Sequence, residues 1–114
     1  MAEGLISFEE WKKLDLRVGE IVSAEQHPNA EKLFIIEVNL GKEIGTKKLV
    51  AGLKNYYTLD ELVGKKVIVF INLEPAVIRG VKSDGMVLAA VNEDHSVVRL
   101  IAPDGEVEIG SKIS

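Results

Sequence analysis

Cysteine is absent from the 114 residues. That removes disulfides, thiol nucleophiles and every cysteine-containing zinc site, and it agrees with the reducing, cytoplasmic setting expected here. Aromatic residues are scarce, at 5% of the chain, so a core has to be built from Val, Ile and Leu. No apolar run approaches the roughly 18 residues of a membrane helix; runs such as Val67 to Ile71 have the length of a strand. The start, MAEGLISFEEWKK, has no basic stretch leading into an apolar one, so no signal peptide is expected. The two histidines, His27 and His95, lie in no metal-ligand spacing and are expected as solvated turn residues. Asp94-His95-Ser96 has the composition of a hydrolytic triad, but consecutive side chains point apart and a triad is defined by convergence in space. Gly80 to Gly85 lacks the Gly-Lys-Ser/Thr of a phosphate-binding loop. No catalytic group, cofactor or metal is therefore expected.

What is present begins with charge. The net charge is −4, which by itself argues against a polyanionic partner. Its distribution argues the other way for one region. Residues 42–82 carry eight basic and four acidic side chains, whereas both flanking thirds are acidic. Screening over about 8–10 Å makes the local balance matter more than the total. Lys47-Lys48 and Lys65-Lys66 are most simply solvated strand ends within that basic region.

Hydrophobic periodicity predicts strands. Leu14, Leu16 and Val18 alternate with polar residues, and the alternation changes phase at Gly19 before Ile21 and Val22, as a bulge or bend would make it do. Phe34, Ile36, Val38 and Leu40 form a second alternating strand, Leu49 to Ala51 the core of a third, Val67 to Asn72 a fourth, and Met86 to Val91 a fifth, with a further short strand at Val97 to Ile101. Two capping boxes, Ser7 with Glu10 and Thr58 with Glu61, announce short helices. Phe8, Trp11 and Leu14 share a face of the first, and Gly64 is placed to end the second. Three strands, a short helix and two strands is the order of an OB-fold barrel, an all-β architecture that binds oligonucleotides on strands two and three and with the loops after strands one and four. Those loops are residues 26–32 and 73–85. The chain reads as one domain over 1–114, with a barrel core at about 14–91 and terminal extensions at 1–13 and 92–114.

Three segments carry a family resemblance: LDLRVGEIVSAEQHPNAEKL (14–33), VAGLKNYY (50–57) and NLEPAVIRGVKSDGMVLAA (72–90). Together they resemble the tRNA-binding domain found as the C-terminal or β subunit of methionyl-tRNA synthetase and as free-standing dimeric tRNA-binding proteins. The family's pattern N-L-x-P-x-x-x-x-G-x-x-S-x-G-M is met by Asn72, Leu73, Pro75, Gly80, Ser83, Gly85 and Met86. The resemblance implies a non-catalytic protein that binds tRNA, a homodimer, and possible association with the methionyl-tRNA synthetase catalytic subunit. It places Ser83 and Met86 on the tRNA-facing surface, near Asn72. Arg79 and Lys82 flank them and can meet phosphate, and Lys32 and Lys54 extend the patch. Met86 is open between an RNA-facing and a core position, and Tyr56-Tyr57 between stacking on a base and packing under the small helix. Phe8, Trp11, Val97, Leu100 and Ile109 offer apolar surface for a dimer. Glu74, Ala76 and Val77 stand where relatives often carry basic residues, which weakens the phosphate argument. Gly41 to Leu49, with Glu43-Ile44-Gly45, resembles instead the CsaA branch of export-related, peptide-binding chaperones, and that is the alternative reading.

Overall fold

The computed structural model describes residues 4–114. Two four-residue helices, α1 (Phe8–Trp11) and α2 (Leu59–Leu62), accompany the strands β1 (Leu16–Gln26), β2 (Phe34–Asn39), β3 (Thr46–Ala51), β4 (Lys66–Phe70), β5 (Ala76–Ile78), β6 (Val81–Ser83), β7 (Met86–Val87), β8 (Ala89–Val91) and β9 (Val98–Leu100). The main sheet runs β3-β2-β1-β4-β7, antiparallel throughout, and curls into a nearly closed five-stranded barrel of OB type. The long β1 makes this possible, because residues 16–20 pair with β4 and residues 20–26 with β2. Both capping boxes form as the sequence predicts.

Alternation fills the barrel. Ile21, Phe34, Ile36, Val38, Leu49, Leu62, Val67 and Val69 pack together inside it. Each fully buried aliphatic side chain of this kind contributes about 1.5–3 kcal/mol. A second layer lies outside the barrel wall, where Leu16, Val18 and Ile68 are covered by Trp11, Ile109 and Ile113 from the two ends of the chain. Backbone bonds fix that cover: the Gly110 amide donates to the Val18 carbonyl at 2.7 Å and the Ile113 amide to the Leu16 carbonyl at 2.8 Å. The Arg17 guanidinium donates to Asp15 at 2.6 Å and to the Gly110 carbonyl at 3.1 Å; the Asp15 hydrogen bond raises its pKa above the ordinary arginine value.

This double burial explains the phase change in β1 without a bulge at Gly19. Leu16 and Val18 face the outer layer, Gly19 and Ile21 the interior, so apolar residues on both faces imitate a break in the alternation. The β1–β4 register runs unbroken through Gly19, and the irregularity lies further on, between Ile21 and Ser23 in the pairing with β2. Gly19 answers a different need: a Cβ there would sit 2.4 Å from Val38 Cγ1.

Three other expectations change. The segment Met86 to Val91 is two strands, β7 on β4 and β8 on β9, because the chain leaves the barrel wall at Leu88. Residues 73–85 are more ordered than a loop: β5 and β6 form a hairpin turned by Arg79 and Gly80. Trp11, Leu100 and Ile109 are partly buried by packing within the chain, so only part of each is left to face a partner. Among the described residues, no helix is long and apolar enough to cross a membrane.

Candidate nucleic-acid interface

The barrel is closed between β3 and the β6–β7 corner by a few specific bonds rather than a ladder. The Asp84 amide donates to the Lys48 carbonyl at 2.9 Å, and the Lys47 ammonium meets the Asp84 carboxylate at 3.0 Å. Ser83 completes the seam. Its hydroxyl accepts from the Val50 amide at 3.0 Å and donates to the Gly85 carbonyl at 3.1 Å. With 4% of its surface exposed, Ser83 is buried in this seam, whereas the resemblance implies a place on the tRNA-facing surface. Its hydroxyl is the group that lets a short hairpin dock on the β3 edge. Ser83→Ala is therefore expected to lower stability by about 0.5–1.5 kcal/mol, since it takes the hydrogen-bond partner from the part-buried Val50 amide. Met86→Ala, at a position 48% exposed, is expected to leave melting nearly unchanged; paired thermal melts check both. Met86 is thus outside the core, on a groove shared with Val50, Gly52, Tyr56 and Val91.

Asn72 is likewise a structural tie. Its carboxamide accepts from the Asp15 amide at 2.8 Å and donates to the Lys13 carbonyl at 2.7 Å, joining the end of β4 to the start of β1. Lys32 and Arg79 line one groove, and Lys32 and Lys54 line an adjoining one. Lys54 donates to Gln26 at 2.9 Å, and Lys82 is exposed on β6 opposite Val77. The structure thus brings Lys32, Lys54 and Arg79 around the β1–β2 loop, with Lys82 on the neighbouring hairpin, while Asn72 bonds to the chain just before β1 and Ser83 to the β3 edge.

The β1–β2 loop holds a feature that the sequence did not reveal. His27 is buried, with 2% exposed, where a solvated residue was expected. Its Nδ1 accepts from the Asn29 amide at 2.9 Å and its Nε2 lies 3.0 Å from the Ile78 carbonyl. A neutral ring protonated on Nε2 satisfies both. Asn29 in turn donates to the Arg79 carbonyl at 3.1 Å. His-Pro-Asn reads locally as a turn, and nothing in its pattern marks a burial that depends on a hairpin some fifty residues away.

The remaining candidates resolve simply. Tyr56 donates to the His95 carbonyl at 2.7 Å, and the Tyr57 hydroxyl accepts from the Leu100 amide at 3.0 Å, so both rings pack against the core and tie it to the β8–β9 hairpin. Asp94 and Ser96 form a local turn: the Ser96 hydroxyl donates to Asp94 at 2.6 Å and its amide at 3.1 Å. These bonds, the hydroxyl's foremost, hold the Asp94 carboxyl below its usual range. The His95 side chain takes no part in these bonds, and its backbone is left-handed at φ 61°.

An OB barrel with cations gathered at the loop after strand one and at the hairpin after strand four is an oligonucleotide-binding type of architecture. Residues 16–112 match the family described as putative tRNA-binding domain, and the chain belongs to that family. The chain is 54% identical over 108 residues to the methionine–tRNA ligase of Pyrococcus horikoshii, a match covering 95% of this chain and 14% of the ligase. It therefore spans about one-seventh of the length of such relatives. Among solved structures it is similar to a methionyl-tRNA-synthetase-related protein from Pyrococcus horikoshii, with TM-score 0.87 and 33% identity over 96% of this chain and 98% of that one. It is also similar to the chaperone CsaA of Bacillus anthracis, with TM-score 0.86 and 32% identity over 97% of this chain and 100% of that one.

Proposed function

We propose that this chain holds tRNA without reacting with it and serves a methionyl-tRNA synthetase in the cytoplasm, either as a part of it or as a separate accessory subunit. The observation that carries this reading is the gathering of Lys32, Lys54 and Arg79 around the β1–β2 loop, with Lys82 beside them, in a chain so similar to part of a methionine–tRNA ligase. Lysine and arginine at these places grip phosphate and set the register, while the exposed Met86 offers an apolar face to a base. Shape is read more than sequence. A synthetase that engages the same tRNA gains from the raised local concentration.

Arg79→Ala or Lys82→Ala is expected to weaken tRNA binding by about 0.5–1.5 kcal/mol and to flatten the salt slope by somewhat less than one unit each, with unchanged melting. Gel-shift titration of total tRNA against each variant tests this, and full affinity in both variants would remove the hairpin from the interface.

The likeness to CsaA supports a second reading, binding of unfolded peptide on the apolar groove beside Met86. That reading requires the protein to keep an unfolding client soluble in the presence of saturating tRNA; binding of tRNA without any effect on the client ends it.

We also propose a homodimer. Phe8, 69% exposed, lines a groove with Trp11, Leu14 and Ile113, Leu5 three residues earlier is exposed as well, and pairing about a two-fold axis would cover this apolar surface. Sedimentation is expected to give twice the chain mass at micromolar concentration, and a monomer at high concentration would refute the pairing.

A further inference from the structure

We propose that His27 and Asn29 are positioning residues that lock the tip of the β5–β6 hairpin to the β1–β2 loop, so that Arg79 and Lys32 present one preorganised site for a phosphodiester of the bound RNA. The inference rests on the tRNA-binding reading above and adds to it the device that sets the geometry.

The hairpin tip is a conformational outlier. The two residues that turn the hairpin, Arg79 and Gly80, have φ of 52° and 89°. Paired left-handed residues are what a tight two-residue hairpin demands, and Asn, Asp and Gly are its ordinary occupants at the first position. Arginine there is strained, and strain of this kind persists only where the surroundings hold it and a side chain is wanted at that point.

The surroundings are specific. The two successive carbonyls at the tip, Ile78 and Arg79, are met by His27 Nε2 at 3.0 Å and by Asn29 Nδ2 at 3.1 Å. His27 in turn is oriented through Nδ1, which accepts from the Asn29 amide at 2.9 Å. One buried imidazole thus ties the loop to itself and to the hairpin at once. The same loop carries Lys32, which lines the groove next to Arg79. Gln26 sets the far side of the loop by donating to the Ala30 carbonyl at 2.9 Å and the Leu33 carbonyl at 3.1 Å. The cations themselves play no part in these bonds, so their charge is left for a ligand. Glu31, the groove's acidic member, disfavours an anion placed loosely and so sharpens the need for both cations at a fixed spacing.

If Lys32 and Arg79 hold one phosphate group through a fixed frame, their effects are coupled; if the frame is loose, they act independently. The experiment is a double-mutant cycle of Lys32→Ala and Arg79→Ala, read by filter binding of total tRNA at low salt, in the parent chain and in Asn29→Ala. Asn29→Ala removes only the exposed bond to the tip, and its melting temperature is measured alongside. His27→Ala and His27→Gln form a second pair, since glutamine retains a donor for the Ile78 carbonyl.

In the parent chain the combined loss of affinity is expected to fall short of the product of the single losses by about threefold or more. In Asn29→Ala and His27→Ala the two losses are expected to multiply, with His27→Gln restoring part of the coupling. Losses that multiply in the parent chain, or coupling unchanged in Asn29→Ala, overturn the clamp and leave the tRNA reading standing. No binding of tRNA by the parent chain overturns both.

Discussion

Raising monovalent salt from about 50 to about 200 mM is expected to weaken tRNA binding on the order of a hundredfold. Each cation that displaces a counterion from the backbone contributes about 0.7–0.9 to the slope of log affinity against log salt. Lys32, Lys54, Arg79 and Lys82 are the cations gathered at the proposed interface, so the slope should lie near −3. Two features hold it down. Lys54 already donates to Gln26 at 2.9 Å, and Glu74 stands in the connection leading into β5. The acidic outer thirds of the chain work in the same direction, because salt also screens their repulsion of RNA. Filter-binding titrations at four or five salt concentrations give the slope directly. A flat response would mean that the cations do not meet phosphate, and the peptide reading would then take precedence.

Gly85→Ala is expected to lower stability by about 2–6 kcal/mol. Two separate costs add. Gly85 has φ of 135°, a backbone conformation that side chains resist at about 1–3 kcal/mol. It is also buried, and a Cβ would lie 2.8 Å from the Phe70 carbonyl oxygen and 3.2 Å from Leu49 Cδ2. The first neighbour is backbone in the barrel wall and cannot swing aside, so overpacking adds about 1–3 kcal/mol. Gly85 lies between Ser83, which seals the barrel against β3, and Met86, which begins the pairing with β4. Displacing it disturbs both seams. Urea denaturation should show a lowered midpoint with an unchanged slope. Gly105→Ala is the control: nothing lies within 4 Å of its Cβ position, and stability should hold or rise slightly. Equal effects in the two variants would refute the steric account.

Both results bear on how the site is assembled. Part of the proposed interface stands on a hairpin pinned at its base by Ser83 and Asp84 and at its tip by His27 and Asn29. A ligand-binding element held at both ends loses little freedom when it binds, which matters for a site with few cations.

Much of this was legible locally. The alternation of Phe34, Ile36 and Val38 and the apolar run around Val67 to Val69 gave the barrel strands, since a period of two is imposed by the backbone itself. Ser7 with Glu10 and Thr58 with Glu61 gave both helix starts, because a capping box closes within four residues. Arg79, Lys82, Lys32 and Lys54 were legible as exposed cations. Ser83 and His27 were not legible in their true roles. A serine in a glycine-rich stretch and a histidine before proline look solvent-facing, and each is buried by a strand or hairpin distant in sequence. Gly19 suggests a bulge or a bend because its neighbours are apolar on both faces, and the second face is covered only by the two ends of the chain.

Local pattern was enough for the first four barrel strands, the helix caps, the all-β class and the places where cationic side chains reach solvent, all consequences of short-range backbone geometry and side-chain polarity. The tertiary structure alone decided that Ser83 seals the barrel, that residues 110–113 line β1, and that His27 and Asn29 hold the Arg79 turn. Each of those depends on hydrogen bonds between groups far apart in the chain, and a buried donor is satisfied by whichever acceptor the fold brings within about 3 Å of it.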